Sequence, residues 1–247
     1  MSAPVIILHR RNRSDMLADL PQDAWIEVDL DLRDGAPCLS HDAALRNAER
    51  LEDFLPQALK CGVKGFLFDC KREGVERTVQ PLLVKHNITD YFYLNEMEIE
   101  ADRFHAASRD HRSALRIWQY RGAADIIRYA EETRARGEKY PQWAWIDCWH
   151  RELRDNIGKA VVPLVRDEAD KLHRAGISLC ICSPELYVHD YDKTYKPGEL
   201  QKIYRGIVQL RRKLTEEGIR EDAVCTKFAK LWTQDLNFLE KTSTLTI

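Results

Sequence analysis

Gly65-Phe66-Leu67-Phe68-Asp69-Cys70-Lys71 decides how the rest of the chain is read. It is an apolar, aromatic-rich run of strand length that ends in two polar residues. The period changes on either side of it. Residues 43–60 put Leu45, Ala48, Leu51, Leu55 and Leu59 on one helical face. Residues 75–85 do the same with Val75, Val79, Leu82 and Leu83. Working outward, the alternation repeats. Further strand-like runs cover residues 5–9, 25–32, 91–95, 115–120, 143–148, 177–183 and 223–228. Further helical patterns cover 123–136, 156–174 and 200–217. Gly62, Gly137, Gly176 and Gly218 each fall just past a helical pattern and read as helix stops.

Eight such units predict a mostly parallel sheet covered by helices, an α/β protein. The length of 247 residues suits the roughly 250 of a (β/α)8 barrel. The expected architecture is a single TIM barrel filling residues 1–247 as one domain. A doubly wound sheet is the competing arrangement. Its nucleotide-binding form needs GxGxxG after the first strand, where this chain has His9-Arg10-Arg11-Asn12, and no Walker A sequence occurs.

Charge narrows the partners. With 38 Lys+Arg against 40 Asp+Glu, the net charge of −2 makes no global case for nucleic acid or an anionic membrane. No stretch approaches the roughly 18 apolar residues of a membrane span. The first residues lack a basic region followed by a long apolar one, so no secretory signal is expected. Seven Cys, an odd number without CxxC spacing, sit mostly in apolar runs. They read as reduced, buried thiols, and a cytoplasmic location is expected.

A barrel places its chemistry at the C-terminal ends of its strands. The first run ends in His9, followed by Arg10 and Asn12, both candidates for holding a substrate phosphate. The second carries Glu27 and Asp29, two apart and so on one face. A turn at Asp34-Gly35 leads to Ser40-His41-Asp42, and the third run ends in the same-face pair Asp69 and Lys71. Taken singly, these residues have ordinary readings: a solvent-facing edge strand, a structural ion pair, a hydrogen-bonded His. Their convergence from three consecutive units favours chemistry. Three carboxylates, Glu27, Asp29 and Asp69, are hard donors suited to Mg²⁺ or Ca²⁺ rather than zinc. His9 and His41 offer an acid and a base, or a nucleophile and an acid. Arg10, Lys71 and the cation together suit a phosphate and the extra charge of its transition state.

Other run ends shape the rim. Trp149 is a candidate for stacking on substrate, although its neighbours Trp143 and Trp145 also favour simple packing. Asp147 and Glu185 read as hydroxyl binders or helix caps. The Tyr-rich stretch 187–197 is the best lid candidate, or else an ordinary polar loop. His86, His105, His111 and His173 fall in or beside helices and receive no role. Arg211-Arg212-Lys213 reads as a solvated helix face.

These residues resemble the glycerophosphodiester phosphodiesterase and phospholipase-C-like superfamily of TIM barrels. The resemblance lies in His9-Arg10, Ile26-Glu27-Val28-Asp29-Leu30, Asp34-Gly35 and Ser40-His41-Asp42, all within about the first 70 residues. It implies a metal on Glu27 and Asp29 and a catalytic pair in His9 and His41. Phe68-Asp69-Cys70-Lys71 looks like the FDxK segment of the sphingomyelinase D branch, which implies Asp69 as third ligand and Lys71 in the site. There are three departures from the glycerophosphodiesterase pattern. Arg11 stands where the family has Gly. Asp69 stands where those enzymes have Glu. Only 26 residues separate Asp42 from Asp69, too few for the usual insertion. The implied activity is metal-dependent cleavage of a small-molecule phosphodiester, by hydrolysis or by forming a cyclic phosphate. Two other classes compete: a non-catalytic barrel holding a phosphorylated ligand, and a sugar-phosphate isomerase or aldolase that would need Lys227.

Overall fold

The computed structural model describes residues 3–41, 48–72, 74–95, 113–117, 122–137, 142–148, 161–187, 197–236 and 238–239. Their strands are β1 (Val5–Leu8), β2 (Trp25–Arg33), β3 (Ala36–Leu39), β4 (Gly65–Cys70), β5 (Tyr91–Asn95), β6 (Ser113–Ile117), β7 (Trp143–Asp147), β8 (Ser178–Cys182) and β9 (Ala223–Thr226). The helices are α1 (Leu51–Lys60), α2 (Val75–Lys85), α3 (Ala123–Ala135), α4 (Arg166–Arg174), α5 (Pro197–Glu217) and α6 (Ala229–Thr233). The strand order is β1-β9-β8-β7-β6-β5-β4-β2-β3, and a further pairing of β1 with β2 closes the ring. Eight parallel strands thus form the barrel, with β3 as an antiparallel ninth on the edge of β2. The expected (β/α)8 architecture is what the chain adopts.

The chain packs as two compact units. One comprises Ile7–Leu115 and Gly137–Trp143; the other comprises Met1–Ile6, Arg116–Arg136 and Ala144–Ile247.

In the first unit, register explains which face carries chemistry. Trp25 pairs with Gly65, Glu27 with Leu67 and Asp29 with Asp69. Leu67 in turn pairs with Phe92, and Asp69 with Leu94. Alternation puts all of these on one face. The opposite face holds Phe66, Phe68, Tyr91 and Tyr93. Their rings pack at centroid distances of 5.4–6.3 Å. That face is covered by α2, whose Gln80 amide donates to Tyr91 Oη at 3.0 Å and accepts from Tyr93 at 3.1 Å. The helix side being apolar and aromatic, the acidic face is the inner one.

The floor of that inner face is aromatic. Phe92 stacks on Trp143 at 4.5 Å and meets Trp25 at 6.4 Å. Gly65 makes room for this, since a Cβ there would lie 2.1 Å from the Trp25 ring.

The helix stops behave as expected. Gly62, Gly137, Gly176 and Gly218 all have positive φ. After α1, Gly62 N–H donates to Leu59 O and Val63 N–H to Ala58 O, the paired bonds of a Schellman turn.

Two helix starts differ from the expected ones. Residues 48–50 are not helical. Leu39 N–H donates to Glu49 O, and Arg50 bridges Cys38, so this stretch extends the β3 edge instead. Residues 161–165 are also not helical, and α4 begins at Arg166. Val161 and Val165 are exposed. Pro163 lacks the N–H that a helix interior requires.

Among the described residues, no helix is long and apolar enough to cross a membrane.

Candidate active site

The site is built on β2. Glu27 and Asp29 are 2% and 1% exposed, and Asp69 on β4 is 8% exposed. One ligand atom from each lies within 4.8 Å of the others. Lys71 follows β4 and bridges two of them, its Nζ standing 2.9 Å from Asp29 Oδ1 and 2.8 Å from Asp69 Oδ2.

The segment after β1 wraps the other side of Asp29. Asn12 and Asp29 bond reciprocally: the amide donates to Oδ2 at 2.7 Å, and Asp29 N–H donates to Asn12 Oδ1 at 2.8 Å. Arg10 Nε lies 3.3 Å from Asp29 Oδ2. The Arg10 backbone N–H donates to Glu27 Oε2 at 2.5 Å. Arg10 itself has φ of +51°, a left-handed conformation costly for a side chain with Cβ. His9 Nε2 lies 3.8 Å from the same Glu27 oxygen. Ser40 N–H donates to Asp29 O at 3.0 Å, which brings the end of β3, and His41 after it, beside the same strand. His41 is exposed.

The electrostatics are those of crowded, dry carboxylates. Burial pushes the Glu27 carboxyl well above its usual range, and the charges of Asp29 and Asp69 push it further. Lys71 and the Arg10 N–H pull in the opposite direction. The donor set fits a hard divalent cation: three buried oxygen ligands converge, and their mutual repulsion is only partly offset by the cationic side chains around them.

One more carboxylate continues the line. Asp31, two residues beyond Asp29, is buried and held by Arg72 at 2.5 Å. The alternation Glu27, Asp29, Asp31 was readable. The Arg72 clamp and the Asn12 grip on Asp29 were not, because they depend on side chains crossing between segments.

The second unit has its own polar cluster. Asp147, at the end of β7, is buried and accepts from Trp145 Nε1 at 2.6 Å and from Tyr187 Oη. Arg116 Nη1 lies 3.9 Å away from it. Burial raises the Asp147 carboxyl above its usual range. Glu185 is fully buried. It accepts from Ser183 Oγ, from Thr226 Oγ1 at 2.6 Å and from Lys227 N–H at 3.0 Å. It therefore ties the end of β8 to the end of β9.

Arg211 departs from the expected solvated face. It donates to Leu231 O at 2.5 Å and lies 5.9 Å above the Trp232 ring. His173 pairs with Asp222 at 2.9 Å. Trp149, Asp42, His105, His111 and residues 188–196 of the lid candidate lie outside the described residues.

No protein-family model matches the sequence, and no curated protein matches it. Solved structures do. A glycerophosphodiester phosphodiesterase from Agrobacterium tumefaciens shares 14% identity over 93% of this chain and 97% of that one, with a TM-score of 0.54. A glycerophosphoryl diester phosphodiesterase from Parabacteroides distasonis shares 16% over 99% and 88%, with a TM-score of 0.55. At this identity the likeness establishes a shared barrel fold.

Proposed function

We propose that this chain is a divalent-metal-dependent phosphodiesterase acting on a small-molecule phosphodiester. The observation that carries the reading is the buried convergence of Glu27, Asp29 and Asp69 with Lys71, Arg10 and His9 at the C-terminal ends of parallel strands. The likeness to glycerophosphodiester phosphodiesterases in fold supports it. Glu27, Asp29 and Asp69 would hold Mg²⁺ or Ca²⁺, which when bound supplies a Lewis acid for a non-bridging phosphate oxygen.

The remaining roles belong to side chains. Lys71 and Arg10 bring positive charge to the phosphate and its transition state. Asn12 holds Asp29 through their reciprocal hydrogen bonds and, beside Arg10, is a candidate to contact the phosphate as well. His9 and His41 form the proton-transfer pair. One takes the proton of the attacking hydroxyl or attacks phosphorus itself, and the other protonates the leaving alkoxide. Water as nucleophile gives hydrolysis, and a neighbouring substrate hydroxyl gives a cyclic phosphate. Trp149 is a candidate for stacking on a ring of the substrate.

The test is turnover of phosphodiesters with Mg²⁺, Ca²⁺ or Mn²⁺, with products read by phosphorus NMR. EDTA should abolish it, and undiminished turnover in EDTA removes the metal assignment. His9→Ala and His41→Ala should each lower kcat by about 100-fold or more with the fold intact. Wild-type rates in either variant remove that residue from the proton-transfer pair.

A further inference from the structure

Arg11 is the one residue of the segment 9–12 whose side chain the site does not use. Its backbone is part of the site: Arg11 N–H donates to Glu27 O at 2.8 Å, which extends the β1–β2 ladder to the mouth of the barrel. Its neighbours on both sides, Arg10 and Asn12, reach Asp29. The Arg11 side chain is half-buried, and its Nε is buried with no hydrogen-bond partner. No carboxylate pairs with it among the described residues. Burial alone lowers its pKa, without the upward pull that a nearby acid would exert. A guanidinium costs free energy to desolvate and is normally repaid by an anion. Among the described residues no anion repays the buried part of it.

We propose that Arg11 binds a second anionic group of the substrate, a phosphate or carboxylate lying beyond the scissile phosphodiester. The inference rests on the phosphodiesterase reading and deepens it by naming the substrate class. A planar guanidinium pairs two oxygens of phosphate or carboxylate at once, which suits it to this task better than a lysine. That no carboxylate of the triad pairs with it is what such a role requires. A group that touched the triad would be neutralised by it, whereas one standing clear keeps its charge for the far end of the ligand. The substrate is then at least dianionic, with a charged tail on the side of β1.

The test uses alkyl p-nitrophenyl phosphodiesters that differ only at the far end of the alkyl chain: hydroxyl, carboxylate or phosphate. The quantity read is kcat/KM for each charged compound divided by that for the hydroxyl compound. Arg11→Gln should lower that ratio by about 10- to 100-fold for whichever anion the site takes, mainly through KM. Arg11→Lys should recover part of the loss. Ratios equal to wild type for both anions in Arg11→Gln overturn the proposal, as does a wild-type ratio of one or less for both. Should the wild type release no p-nitrophenol with any divalent cation, the phosphodiesterase reading itself fails. Arg11 is then judged by calorimetric binding of the same compounds. Tighter binding of a charged tail in wild type, lost in Arg11→Gln, sustains it, and equal affinities overturn it.

Discussion

Adding a divalent cation should stabilise the folded chain, and Asp69→Asn should remove most of that gain. The magnitude follows from the geometry. Two unit charges 4.8 Å apart, the outer limit for the triad, repel by about 3.5 kcal/mol at an effective dielectric of about 20. Lys71 offsets part of this, pairing with Asp29 and Asp69 and lowering the cost of charge on Glu27 as well. An ion at about 100 times its Kd contributes about 2.7 kcal/mol. For a chain of this size that corresponds to a Tm rise of about 5–10 °C.

The sign with pH is also set. The Glu27 carboxyl titrates above its ordinary 4.5 in the folded state. The fold therefore binds more protons than the unfolded chain between those two values. Glu27's contribution is most favourable below about pH 4.5 and is lost as pH rises through its raised value. The cation restores what ionisation removes, so its effect should be larger at pH 8 than at pH 5. The assay is thermal melting by circular dichroism with Mg²⁺, Ca²⁺ or Mn²⁺ against EDTA. Asp69→Asn should shift by less than about 2 °C. Equal shifts in wild type and Asp69→Asn, or no shift in wild type with any of the ions, would refute the assignment of the triad as a cation site.

Gly65→Ala should destabilise by about 2 kcal/mol or more in urea unfolding, because its Cβ would overlap the Trp25 ring at 2.1 Å; a change under 0.5 kcal/mol would mean the aromatic floor yields freely. Glu185→Ala should cost about 2–4 kcal/mol, since Ser183, Thr226 and the Lys227 N–H all lose a buried acceptor. Burial raises the Glu185 carboxyl. Wild type should therefore lose the part of its stability linked to Glu185 protonation as pH rises from 4.5 through the raised value, and the variant should show a shallower slope there.

The barrel was legible because its strands are encoded locally. The β-rich runs at 65–71 and 91–95 fall on β4 and β5 nearly residue for residue, and the glycines that end helices do so through left-handed backbone that the sequence announces. β3 was missed for a reason its sequence also contains. Ala36-Pro37-Cys38-Leu39 has a Pro, which argues against an inner strand, and β3 is indeed confined to the sheet edge. The helix expected from residue 156 ignored Pro163, and the apolar Val161 and Val165 that suggested it are exposed. In the site, the period-two pair Glu27 and Asp29 could be read from spacing alone. The pairing of Asp29 with Asp69 needed the register of β2 against β4, which no single strand encodes. Arg10 shows the same limit, since neither its left-handed backbone nor the bond from its N–H to Glu27 is written in the residues around it.

The hairpin after β2 has a consequence for how this site tolerates change. Asp34 and Gly35 both have positive φ and join Arg33 to Ala36 as a two-residue type I′ turn. One residue added within the paired strands would slip β3 by a position and turn its side chains over. The same ladder carries on to the bond from Ser40 to Asp29. His41 is thus measured off from Asp29 by a rigid ruler of paired backbone rather than hung on a loop. Length variation, which barrels usually absorb in the segments after their strands, would break this register if it fell within the ladder, so a lengthening that keeps His41 beside Asp29 enters at the turn or after residue 41.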